Sequence, residues 1–264
     1  MRLTRISNNF TDHLPLHMSI ITYPPLLLTS CVTTSALFTK LTDTNKRIEL
    51  TIQSIKEWIR IQPDIKIVIC DGSNYDFSTI TKELFPTSKI ECLYFQNNID
   101  CVKLYGKGFG EGEIINYAVE NSRLIKDTDF FAKCTAKLWV NNYNNCLHSW
   151  NGTFKSDCNC TNIKSINNIE IGYIDTRFYL VSKLFYNKYL AGAHLNVNDL
   201  NMPLERCFRD AIIKHNINNF IFPNLPMIIG VSGSTEVNYR YTFKQIIEDK
   251  IRRTALKLIL PQLF

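Results

Sequence analysis

"KLYGKGFGEGEIINYAVENS", residues 103–122, sets glycines at 106, 108, 110 and 112 and then runs into a helical pattern. Its reading decides the fold, because a glycine-rich entry to a helix that follows a strand is how an α/β sheet offers backbone N–H groups to an anion at its edge. Glycines permit close backbone approach, Lys107 adds a positive charge, and the N-terminal end of the helix favours anions. Gly108 and Lys107 are therefore candidate anion contacts. The spacing and position do not fit a dinucleotide fingerprint, which belongs directly after the first strand of its unit. A flexible turn ahead of a helix is the plainer alternative.

Working outward, the surrounding elements alternate. "LLLTSCVTT" (26–34) is a short apolar, β-branched run and reads as a central strand. Thr44 is expected to cap a helix in which Ile48, Ile52, Ile55 and Ile59 recur at helical spacing before Pro63 stops it. "IKIVIC" (65–70) is a second buried strand ending in the turn "DGSN", and "KIECLYFQ" (89–96) is a third. After the helix at 111–125, "FFAKCTAKLWV" (130–140) reads as one further strand. This alternation predicts an α/β fold with a mostly parallel, Rossmann-like sheet flanked by helices on both faces. Residues 141–168, polar and Asn-rich, read as a long loop. Strand, helix and strand patterns resume from 169, "GVSGST" (230–235) closes the sheet region, and an amphipathic helix with Arg252, Arg253 and Lys257 ends the chain. The expected organisation is a tail over 1–25 and one domain over 26–264, with functional halves at 26–140 and 165–264.

Composition narrows the function. The 264 residues are 45% apolar, enough for a sizeable core. The net charge of +6 is spread along the chain rather than gathered into a block, which gives little support to nucleic acid as a partner and fits equally a small anionic ligand or a membrane surface. No run approaches the roughly 20 apolar residues that a spanning helix needs. Nine cysteines, several in strand-like apolar runs, suit a reducing, cytoplasmic compartment. The N-x-S/T sites at Asn9, Asn151 and Asn159 matter only for a secreted chain. Cys146, His148, Cys158 and Cys160 lack the spacing of a structural zinc site.

In an open α/β sheet, ligands bind beyond the carboxyl ends of the strands. That rule selects Thr33, Thr34, Asp71, Ser73, Asn74, the glycine run and Lys137. A hydroxyl-rich end on the first strand and a carboxylate on the second would suit a ribose and base, although Asp71 is equally good ordinary turn chemistry.

The order of these pieces, with "YGKGFGEGEIINYAVE", "DFFAKCTAKLWVNN", "IDTRFYLVSK" and "GVSGST", resembles GT-A type nucleotide-sugar glycosyltransferases, in particular the bacterial enzymes of lipooligosaccharide, O-antigen and capsule synthesis. The resemblance implies a hexosyltransferase-type enzyme using a nucleoside diphosphate sugar, UDP-linked by expectation, and a glycan or lipid-linked glycan acceptor in polysaccharide or lipopolysaccharide biosynthesis. It implies that Thr29, Ser30 and Asp71 flank the nucleoside while Lys107 and Asn116 face the diphosphate. Most relatives carry Asp-x-Asp on the fourth strand to hold a divalent cation such as Mn²⁺ or Mg²⁺. This chain has "KCTAK" there.

Alternate residues of a strand share a face, so Lys133, Thr135 and Lys137 are expected to point the same way and to supply the charge a metal would bring. Exposed edge-strand lysines would look the same in sequence. Ser232, Gly233 and Ser234 offer a second anion nest. Inverting transfer also needs a carboxylate base. The resemblance favours Glu205, at a helix start, then Asp175, with Asp199 a further carboxylate in this half; a plain helix-dipole role would also put a glutamate at 205.

The C-terminal cations either dock the helix on the domain or rest on anionic lipid, the latter giving a peripheral contact at the inner face of the membrane. A sugar-phosphate nucleotidyltransferase would be expected to carry glycine right after the first strand, and "TSCVTTSALFTK" has none. A non-catalytic nucleotide- or glycan-binding module is the remaining class.

Overall fold

A computed structural model describes residues 23–161, 170–198 and 200–264. Residues 1–22, most of the expected tail, and Asp199 lie outside the described residues. The chain begins with β1 (Leu26–Ser30), α1 (Thr44–Ile61), β2 (Lys66–Asp71), α2 (Ser78–Leu84) and β3 (Lys89–Tyr94). It continues through α3 (Ile99–Tyr105), α4 (Lys107–Asn121), α5 (Arg123–Lys126), β4 (Phe130–Thr135), β5 (Leu138–Val140), α6 (Tyr143–His148), β6 (Phe154–Thr161) and β7 (Glu170–Ser182). After a short α7 (Lys183–Phe185) and a π-helical turn, α8 (Leu204–Lys214), β8 (Ile228–Val231), β9 (Asn238–Tyr239) and α9 (Phe243–Ile259) complete it.

Six strands form one sheet in the order β3-β2-β1-β4-β7-β6, parallel from β3 through β4 and antiparallel at β7 and β6. This is the expected α/β class: a mostly parallel sheet flanked by helices. β1 is central and buried along its whole length, which is why it reads as continuous apolar sequence. Its alternate side chains serve opposite cores: Leu27 packs with Ile114, Ile115 and Ala118 of α4, while Leu26 and Leu28 pack with Ile55 and Trp58 of α1.

Several boundaries differ from the sequence reading, each for a physical reason. Asp43, not Thr44, caps α1, its carboxylate accepting from the Lys46 N–H at 2.8 Å. The buried face of α1 is Arg47, Leu50, Thr51, Ser54, Ile55 and Trp58; Ile48, Ile52 and Ile59 flank it. Ser54 Oγ and Trp58 Nε1 both donate to the Leu138 carbonyl, at 2.7 and 3.0 Å, fastening α1 to β5.

The glycine run is helix rather than loop. Gly106, at φ 102°, makes the break between α3 and α4, and Gly108, Gly110 and Gly112 lie inside α4. A Cβ on Gly112 would come within 2.1 Å of His194 Cβ, so bare backbone there lets the 193–196 turn pack against the helix.

The expected strand over 130–140 is two strands. β4 ends at Thr135, and after Ala136 and Lys137 the chain leaves the main sheet as β5, which joins β8 and β9 in a separate antiparallel sheet. Gly230 permits this crossing, because at φ 122° a Cβ there would stand 2.2 Å from the Lys137 carbonyl oxygen.

The expected long loop over 141–168 contains α6 and the edge strand β6; residues 162–169 lie outside the described residues. Bulges at Ser156/Cys158 and Asn159/Cys160 break the period that would have marked β6 as a strand.

α9 is fastened by the very cations that could have faced lipid. Arg253 pairs with Asp157 and donates to the Phe222 carbonyl at 2.6 Å, Arg252 donates to the Cys158 carbonyl at 3.2 Å, and Lys257 reaches the Pro223 carbonyl, while Asp249 on the same helix braces both arginines. Among the described residues no helix is long and apolar enough to cross a membrane.

Candidate active site

The carboxyl ends of β1 and β4, the first turns of α4, the middle of β7, the start of α8 and the 231–235 turn enclose a cavity of about 270 Å³. Because the sheet order is β3-β2-β1-β4-β7, its wall runs in that order too. Asn97, just after β3, stands at one end, Thr29 and Ser30 follow at β1, Thr135 and Lys137 at β4, and Thr176 and Arg177 on β7. A second, wider cavity of about 750 Å³ adjoins the β7 end and shares Lys107, Arg177, Glu205 and Tyr239 with the first.

Lys137 is buried at 4% exposure, yet it lines the cavity. Burial, with Arg47 beside it, pulls its ammonium down to about 7. Arg47 is fixed by Nε donating to the Cys31 carbonyl at 2.7 Å and Nη1 to that of Leu41 at 2.7 Å. The turn at Gly233 closes over both, since a Cβ on that residue would stand 2.9 Å from Lys137 Cε and 3.4 Å from Arg47 Nη1. Two cations, Ser232, Ser234 and a glycine with no side chain thus face one space, a geometry suited to a polyanion.

Lys133 takes a different place from the one its alternation with Lys137 suggested. It is wholly buried and lines neither cavity. Its ammonium contacts the Glu111 carboxylate and donates to the Thr176 carbonyl at 2.7 Å. Because β4 ends at Thr135, Lys137 sits in the following turn, so the two lysines do not share a strand face. Lys133 is a strut beneath the cavity.

Other candidates also divide. Thr29, Ser30, Lys107, Thr135, Ser232, Gly233, Ser234 and Glu205 all line the first cavity, and Lys107 donates to Ser234 Oγ at 2.7 Å. Asp71 and Ser73 do not. The Asp71 carboxylate accepts from the N–H groups of Val32, Ser73 and Tyr75 and from Ser73 Oγ, with donor distances from 2.6 to 3.2 Å. It pins the loops after β1 and β2, which is turn chemistry used to shape the site. Gly108 is buried in α4 and Gly110 lines the cavity instead. Asn116 faces away from it, donating to the Ala191 carbonyl at 3.0 Å and accepting from Tyr186 OH at 2.7 Å.

Glu205 opens α8 and lies on the wall common to both cavities. Burial pushes its carboxyl above the ordinary range, against its own backbone N–H. Asp175 lines the wider cavity but not the first, and is held bidentate by Arg177, with Nε–Oδ1 at 2.9 Å and Nη2–Oδ2 at 2.5 Å. Arg177 in turn lies 4.7 Å from the Tyr239 ring centroid.

The sequence reading missed Arg47, Asn97, Glu111 and Arg177. Arg177, two residues after Asp175 in "IDTRF", was within reach; Arg47 was hidden in the apolar face of a helix.

The residues at the end of β4 do not fit a divalent cation. Lys133, Cys134 and Thr135 provide no carboxylate, and the nearby Glu111 is bound to Lys133. Among the described residues no three His, Cys, Asp or Glu side chains are grouped so as to hold a metal ion.

No protein-family model matches the chain, and no curated protein matches it in sequence. Solved structures of similar shape include the bifunctional IspDF of Campylobacter jejuni, 14% identical over 85% of this chain and 54% of its own, with a TM-score of 0.41. The bifunctional glycosyltransferase WbbM is 9% identical over 75% of this chain and 38% of its own, with a TM-score of 0.40. The 4-diphosphocytidyl-2C-methyl-D-erythritol synthase of Anaerococcus prevotii is 10% identical over 88% of this chain and 99% of its own, with a TM-score of 0.40. The chain thus spans about half of IspDF and less of WbbM. The fold assignment rests on the chain's own strand order.

Proposed function

We propose that the chain is a glycosyltransferase that moves a sugar from a nucleoside diphosphate sugar to a glycan or lipid-linked glycan acceptor, as in surface polysaccharide synthesis. One observation carries the reading: a partly buried carboxylate, Glu205, stands on the wall between a cation-lined cavity and a wider one. Two joined chambers suit two substrates, and a carboxylate at their junction suits a proton transfer where they meet.

In this mechanism the donor's diphosphate lies against Lys137, Arg47 and the 232–234 turn, and its sugar points toward Arg177. Glu205 takes the proton of an acceptor hydroxyl, whose oxygen bonds to the anomeric carbon as the bond from that carbon to the phosphate oxygen breaks. The nucleoside diphosphate leaves with its new negative charge against the two cations. Single displacement inverts the anomeric configuration. No step is routed through a metal.

Nucleotidyl transfer to a sugar phosphate is the second reading, favoured by the same cation pair, which could equally receive a leaving pyrophosphate. Mass spectrometry on reactions with a panel of nucleoside diphosphate sugars, or of nucleoside triphosphates with sugar phosphates, in EDTA, separates them. Glycan extension with nucleoside diphosphate release is the expected result. Pyrophosphate release with formation of a nucleotide sugar would replace the first reading by the second.

A further inference from the structure

Resting on the nucleotide reading above, we infer that Asn97 reads the base edge of the bound nucleotide. Asn97 follows β3, at the end of the cavity farthest along the sheet from Arg177. Its main chain is fixed by its N–H donating to the Gly72 carbonyl at 2.9 Å. The side chain is 7% exposed, and its Oδ1 is buried with no hydrogen-bond partner among the described residues. A buried acceptor in that condition is unusual, because such groups are normally paired.

Two glycines make room for this amide. A Cβ on Gly72 would stand 2.6 Å from Asn97 Nδ2, and one on Gly110 would stand 2.8 Å from the same atom. Any larger residue at either position would drive the amide out of its slot. Val102 and Ile114 supply apolar wall at this end, whereas the cations Arg47 and Lys137 stand with the turn at Gly233. A flat ring with apolar faces and a polar edge therefore suits the Asn97 end, and the phosphates suit the other.

An amide presents one acceptor beside one donor, whichever way round it is turned, and so matches a base edge that offers a donor beside an acceptor. Every base carries such an edge, uracil through N3–H and a flanking carbonyl, so the amide calls for a base without choosing among the four.

Isothermal titration of the full chain with UDP, CDP, ADP, GDP, 3-methyluridine diphosphate and inorganic pyrophosphate tests this, in wild type, Asn97→Ala and Asn97→Asp. We expect the nucleoside diphosphates to bind more tightly than pyrophosphate and Asn97→Ala to weaken the tightest of them roughly tenfold to a hundredfold, with pyrophosphate unchanged within about twofold. Asn97→Asp, which keeps acceptors and loses the donor, should alter the ranking of the bases. Methylation of N3 should cost wild type roughly tenfold or more, a readout that needs no variant to fold. Parallel losses for the tightest nucleotide and pyrophosphate, no loss in either variant, or indifference to N3 methylation would overturn the assignment. Wild type that binds pyrophosphate as tightly as every nucleotide removes the base contact but leaves the diphosphate site, whereas binding of neither removes the donor reading as well.

Discussion

Lys133 and Lys137 lie four residues apart, both buried, one within β4 and the other in the turn that follows it, and they do opposite things. Lys133 sits below the cavity floor with its charge balanced by Glu111 and its remaining donors directed at Thr176 O and Thr135 Oγ1. Lys137 sits at the wall beside another cation, Arg47, under the glycine of the 231–235 turn. A buried charge that is paired inside the protein supports the fold. One held against a like charge in a cavity is poised for a partner that arrives from outside.

The largest expected effect lies at the junction beyond both lysines. Glu205→Gln should lower the transfer rate by about 10²–10⁴-fold while leaving the thermal midpoint and donor affinity near wild type. Equal losses of rate and donor affinity would move Glu205 from the chemistry to the binding site.

Lys133→Met should act on stability, costing about 2–3 kcal/mol in a denaturant titration. This is below the usual cost of breaking a buried pair because Glu111 is partly exposed. Adding Glu111→Gln should recover part of that loss. A Lys133→Met protein of normal stability with reduced diphosphate affinity would erase the contrast between the two lysines.

Gly230→Ala should cost about 1–3 kcal/mol through the strained backbone alone and should also weaken pyrophosphate binding, since the 232–234 turn is carried by that crossing. Loss of stability with intact binding would show that the turn forms independently.

The smallest effect is that of pH. With Lys137 near 7 in the free protein, pyrophosphate affinity should fall about two- to tenfold from pH 7 to pH 8 as the ammonium loses its proton, and Lys137→Met should flatten that fall. In the rate profile the rising acidic limb reports ionisation of Glu205 and should lie above the ordinary carboxylate range. A fall that persists unchanged in Lys137→Met would assign it to another group.

Much of this was legible in the sequence, for reasons that vary by element. β1 and β2 are buried on both faces and so spell continuous apolar runs, and α8 follows Pro203 at the place where a helix start was expected. β6 was missed because an edge strand with two bulges and the buried polar residues Lys155 and Ser156 has neither alternation nor an apolar run. The glycine run was misread because spacing alone does not distinguish glycines needed for φ from glycines needed for close packing, and only Gly106 is of the first kind.

In the site, Glu205, Lys107, Lys137 and the 232–234 turn were reachable from their positions at element ends. Lys133 was named with them, but its role as a strut was not legible, since its pairing with Glu111 across 22 residues leaves no local trace. Arg47 was hidden for the converse reason: two backbone carbonyls hold a charge on what looks like the apolar side of α1.

The central claim, that Lys137 and Arg47 meet a diphosphate directly, is tested most directly by titrating wild type and Lys137→Met with pyrophosphate in excess EDTA. The account predicts that wild type binds and that Lys137→Met binds roughly tenfold to a hundredfold more weakly with an unaltered thermal midpoint. Binding that is absent in EDTA and restored by manganese, or that survives unchanged in Lys137→Met, would contradict it.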